Sequence, residues 1–143
     1  MPIRSFENLV PHIAASAWID DSAVVIGDVQ IGAEASIWPM CVVRGDIQSI
    51  CIGARSNVQD GTVIHVTHDS RFCPGGRATT VGEDVTIGHQ ALLHACTIGD
   101  RCLIGMGAIV MDGAGIGAGA MLGAGCVVPP GKQLAGGFLY VGS

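Results

Sequence analysis

Aliphatic residues recur at every sixth position along this chain. The first run is Ile13, Ile19, Val25, Ile31, Ile37 and Val43, and it resumes as Ile52, Val58 and Ile64. After an irregular stretch come Val81, Ile87 and Leu93, then Ile98, Ile104, Val110, Ile116, Leu122, Val128 and Leu134, with Tyr140 in phase. The fifth member of the hexad is small or β-branched in most cases, as at Ala17, Ala23, Ala35, Cys41, Thr62, Ala91, Cys102, Ala108, Ala120 and Cys126. A period of six matches neither a helix at 3.6 nor a plain alternating strand at 2. It predicts short strands joined by turns around a prism, with two inward positions per hexad and stability contributed by neighbouring repeats.

The residue after the aliphatic is often glycine, as in Ile31-Gly32, Ile52-Gly53, Ile87-Gly88 and Ile104-Gly105. In this the chain resembles the hexapeptide-repeat proteins. That resemblance implies an all-β fold, a left-handed parallel β-helix of about six to seven coils spanning roughly residues 13 to 140. Residues 1–143 are expected to form a single domain, with the C-terminal helix of the family absent and the last coil uncapped. The phase slips at Ser49-Ile50-Cys51, which adds three residues, and between Leu93 and Ile98, which is one residue short. A larger excursion, Ser70 to Thr80, carries Pro-Gly-Gly turn chemistry.

Composition narrows the function classes. Aromatic residues are 4% and charged residues 13% of the chain, the net charge is −5, and Lys132 is the single lysine. No basic patch exists to displace counterions from a nucleic acid. No apolar run approaches a membrane span, and the N-terminus lacks a secretory signal, so a cytoplasmic protein is expected. The six cysteines form no Cys-x-x-Cys pair and are read as free, three of them at positions that any small residue could fill. Gly115, Gly117, Gly119, Gly123 and Gly125 are read as turn residues of the repeat, not as a phosphate loop.

Counting hexads places the histidines. Leu93 lies three hexads after Ile64, so His65 and His94, each following its aliphatic residue, point the same way from adjacent coils. Strands so stacked are about 4.8 Å apart, close enough for two imidazoles to share one metal ion. His89, two places after Ile87, falls on another face and would reach such an ion only from a neighbouring chain. Arg44 and Asp46 fall below His65, and Gln59 and Asp60 beneath His89. His12 and His68 are read as structural, His68 at an inward fifth position.

The segments Val43-Arg44-Gly45-Asp46, Asn57-Val58-Gln59-Asp60-Gly61, Ile64-His65 and Ile87-Gly88-His89-Gln90-Ala91-Leu92-Leu93-His94 resemble the gamma-class carbonic anhydrases. The resemblance implies a homotrimer with metal sites between subunits. In it His65, His89 and His94 are the zinc ligands, Gln59 positions the metal-bound water, and Arg44, Asp46 and Asp60 form an interface ion network. It implies a zinc-dependent hydration of carbon dioxide to bicarbonate, although imidazole suits Zn2+, Fe2+ and Co2+ alike. The acidic proton-shuttle residues of active relatives have no counterpart, since the glutamates are Glu7, Glu34 and Glu83. Two other readings stand beside this one: a metal-binding hexapeptide-repeat protein without anhydrase activity, and an acyl-coenzyme A-dependent acyltransferase.

Overall fold

In the computed structural model, which describes residues 3–143, strands of two or three residues alternate with turns, apart from the longer Val24–Ile31 and Val42–Ile52, and every strand pairing is parallel. The strands wind into a left-handed parallel β-helix with a triangular section. The first face stacks Ile3, Val25, Val43, Ile64, Leu93, Val110 and Val128 in register. A second face stacks Ile13, Ile31, Ile52, Val81, Ile98, Ile116 and Leu134. The third is a 7-stranded sheet built on Ile19, Ile37, Val58, Ile87, Ile104, Leu122 and Tyr140. The stack thus begins one strand earlier than the hexad count placed it, at Ile3. Among the described residues there is no helix, and so none long and apolar enough to cross a membrane.

The period of six has a direct physical cause. Most hexads bury their aliphatic residue and their fifth residue, turn on the third and fourth, and hold the fourth at positive φ. Glycine occupies that corner from Gly107 to Gly137, but Glu34, Met40, Arg55, Asp84, Gln90 and Arg101 occupy it earlier, each with φ between 56° and 61°. Such a residue gives up about 1 kcal/mol relative to glycine at the same angle. The small fifth residues do more than fit. The thiols of Cys41 and Cys102 donate to the carbonyls of Gln59 and Gly117, and the Ser56 and Thr62 hydroxyls to those of Gly82 and Gly88, all one coil ahead. Core side chains from Val25 to Leu122 are essentially inaccessible, whereas Ile13, Leu134 and Tyr140 at the ends remain partly exposed.

Several details differ from the hexad count. The three extra residues lie among Asp46–Ser49, because Gly27 pairs with Gly45 and Val29 with Ile50, which is a core residue. The excursion leaves the prism at Thr67 and returns at Arg77, which bond each other across its base; Thr79 and Thr80 already belong to the strand Thr79–Val81. His68 is exposed, and Val66 takes the inward place, because the backbone stays extended past His65 before it departs. Gly119 and Gly125 are corner residues at positive φ, but Gly115 lies in a strand, where a Cβ would strike the Gln133 side chain at 2.1 Å. At Gly117 a Cβ would meet the Gly136 nitrogen at 2.4 Å, so close stacking, and not a left-handed angle, is what requires glycine there.

Candidate metal centre

His65 and His94 pair directly across adjacent strands of the first face, as counting required. Their rings are tilted, with Nδ1 of His65 3.2 Å from Nε2 of His94. The far nitrogens are both engaged by carboxylates. His65 Nε2 lies 2.9 Å from Asp46, and His94 Nδ1 lies 2.7 Å from Asp112. A carboxylate only accepts, so those nitrogens carry the hydrogens and the two nitrogens facing each other are left for another partner.

All three departures from the six-residue period converge here. The extra residues after Gly45 carry Asp46 outward to His65, where it also pairs with Arg44. A Cβ on Gly45 would strike the Asp28 carbonyl at 2.4 Å, so this corner closes only with glycine. The loop 67–77 is tied down on both sides of the pair. Gln48 Nε2 donates to the Gly75 carbonyl, and the Thr67 hydroxyl donates to Asp112. The short hexad after Leu93 turns at Ala95, φ 49°, whose amide donates to the His65 carbonyl. Partial burial pushes the Asp46 carboxyl up, but hydrogen bonds from His65 and Arg44 outweigh it and hold the group below the usual carboxylate range. Asp112 is held low in the same way, burial being outweighed by hydrogen bonds from Thr67 and His94.

His89 stands apart, on the turn that enters the first face, while His65 and His94 stand at its exit. Its Nδ1 lies 3.0 Å from Asp60 of the coil below, and the two share a shallow cleft with Trp38, Asn57 and Gln59. Among the described residues of one chain, no three His, Cys, Asp or Glu side chains converge on a point where they could hold a metal ion. The facing pair nevertheless fits two places on one: nitrogens at 2.0–2.1 Å from a tetrahedral zinc stand about 3.3 Å apart. Asp112 and Thr67 were missed by the sequence reading. The same counting reaches Asp112, two places after Val110 and one coil above Leu93, but it does not say that the side chain turns down onto His94.

The residue pattern matches the bacterial transferase hexapeptide (six repeats) family over residues 11–45, 78–111 and 95–130. Protein YrdA of Escherichia coli is 52% identical over 141 residues, which cover 99% of this chain and 77% of YrdA. The mitochondrial gamma carbonic anhydrase 1 of Arabidopsis thaliana is 43% identical over 88 residues, 62% of this chain and 32% of its own. A crystal structure of a hexapeptide transferase family protein from Anaplasma phagocytophilum superposes with a TM-score of 0.89 at 40% identity, covering 98% of this chain and 78% of that one. The chain therefore belongs to the gamma-class carbonic anhydrase-like family of hexapeptide-repeat proteins.

Proposed function

We propose that the protein is a zinc-dependent enzyme that hydrates carbon dioxide reversibly to bicarbonate, its metal held between chains of a homotrimer by His65 and His94 of one and His89 of the next. The observation that carries this reading is the pair of imidazole nitrogens facing each other at 3.2 Å, with both far nitrogens on carboxylates. A buried or satisfied structural histidine has no need of that arrangement. His89 at the leading edge of the same face, and the pair at its trailing edge, suit a head-to-tail ring in which one edge meets the other.

Zinc held there supplies Lewis acidity, which brings the ionisation of water down to about pH 7. The protein's own groups do the rest. Asp46 accepts from His65 Nε2 and so turns the Nδ1 lone pair inward. Asp60 does the same for His89 at Nδ1, which leaves Nε2 to reach across an interface. The Gln59 amide, beside His89 in its cleft, offers a carbonyl oxygen that would accept a hydrogen bond from a water held there and so fix its orientation. Arg44, one strand from His65 and partly exposed, keeps a positive charge beside the place where an anionic product forms. Glu83 is engaged by Arg55 on another edge of the prism and Glu34 is a corner residue there, so the proton passes to external buffer.

Acyl transfer from an acyl-coenzyme A is the second reading, favoured by the transferase relative from Anaplasma. It needs one histidine as base and gives no role to two rings that face each other. Metal analysis combined with stopped-flow carbon dioxide hydration separates the readings. About one zinc per chain is expected, with a rate that rises from roughly pH 6 to 9 and increases with buffer concentration. Absence of bound metal after purification in zinc, or a metal-loaded protein inert toward carbon dioxide, overturns the anhydrase reading.

A further inference from the structure

We infer that Asp112, locked by Thr67, is a positioning residue that presents His94 to the metal and ties the loop 67–77 to that task; this rests on the metal reading above. Among the described residues, only the Asp112 carboxylate bonds Nδ1 of His94, at 2.7 Å. A neutral imidazole free in solution carries its hydrogen on either nitrogen. With Asp112 accepting at Nδ1, the ring carries the hydrogen there, and Nε2 keeps its lone pair toward His65. The carboxylate cannot rotate away, because its other oxygen accepts from the Thr67 hydroxyl.

Thr67 is the first residue of the loop and bonds Arg77 across the base through both its backbone groups. Asp112 comes from the coil above, two residues after Val110, and its own turn is held by Gly131, whose amide donates to the Asp112 carbonyl. Three segments distant in sequence, 67, 94 and 112, therefore meet in one hydrogen-bonded line. Nothing in the packing of the prism requires this line. Core positions of the same coils are filled by Ile64, Leu93 and Val110, and Asp112 and Thr67 lie outside them.

The test is made on the full chain with three variants, Asp112→Ala, Thr67→Val and the double mutant His65→Ala/His94→Ala. Zinc affinity is read by chelator competition, and the tautomer of His94 by long-range proton–nitrogen correlation in metal-free protein. Asp112→Ala is expected to lose about 10–100-fold in zinc affinity. It also moves the His94 hydrogen from Nδ1 toward Nε2 while the signals of His65 keep their tautomer. Thr67→Val, which leaves the carboxylate in place but unlocked, loses about five-fold. Affinity within two-fold of the parent in both variants, or an unchanged His94 tautomer in a folded Asp112→Ala protein, overturns the inference. If Asp112→Ala does not fold, Thr67→Val alone decides: an unchanged affinity rejects the role. Zinc binding that survives His65→Ala/His94→Ala overturns the metal reading itself, and the two failures are thereby told apart.

Discussion

Division of the ligands between two chains makes a quantitative prediction about mixing. Take two variants that each lack half of a site: His89→Ala, which keeps the facing pair, and His65→Ala/His94→Ala, which keeps His89 with its Asp60 partner. Homotrimers of either hold no complete set. Unfold and reassemble them in equal amounts and four kinds of directed interface form, of which one joins an intact pair to an intact His89. In a head-to-tail ring every mixed trimer contains one junction where an intact pair meets an intact His89, whichever variant is in excess within it. About a quarter of all interfaces should then regain zinc, against none for either variant alone. Restored sites also bind the assembly together, each adding about 2.7 kcal/mol when free zinc is a hundred-fold above its dissociation constant. The assay is zinc content per chain after chelator washing, on trimers whose mixed composition is verified by native mass spectrometry. Mixed trimers without recovered zinc refute the intersubunit site. Recovery above about a third, the value reached if zinc drew every chain into mixed trimers, refutes it too, because the ligands would then be gathered some other way.

Leu93→Ala and Leu122→Ala remove the same side chain from equally buried positions of the first and third faces, and each should cost about 3–5 kcal/mol by thermal unfolding. Only Leu93→Ala, beside His94, should also weaken zinc binding; equal effects on zinc from both would mean that packing, and not local placement, governs the site. Met40→Gly relieves a left-handed corner on an exposed residue and should stabilise by up to about 1 kcal/mol, so a lower melting temperature would contradict the corner argument. Asp46 and Asp112 have carboxyls below the usual range in the folded chain, so unfolding takes up protons. Their contribution is full above about pH 5 and is lost as pH falls below about 4; metal-free protein whose stability is flat down to pH 3 would refute it. In native protein an alkylating reagent at pH 8 should label the exposed Cys51 and spare Cys96, whose thiol burial pushes up to about 12, and early labelling of Cys96 would refute that burial.

Hexad arithmetic carried most of the architecture, because inward positions repeat and each must be filled. It placed Leu93 above Ile64, hence His94 above His65, without any knowledge of side-chain direction. Arithmetic fails where the chain leaves the period. Ile50 and Val66 are core residues that the count assigned to an insertion and to an outward position, because extended backbone alternates every second residue and the count assumed a turn. The side-chain bonds of Asp112 to His94 and of Thr67 to Asp112 join residues 18 and 45 positions apart, and only the register of three coils brings them together.

The position of the paired histidines within the stack has a dynamic consequence. Each coil is held only by the coils above and below, so opening begins at the ends, where Ile13, Leu134 and Tyr140 keep part of their surface in water. Unzipping from either terminus must melt several coils before it reaches Ile64 or Leu93, whose side chains are fully enclosed. The ligands therefore reside in the slowest-exchanging part of the molecule. Fraying can run through the outer coils many times while the centre keeps its geometry.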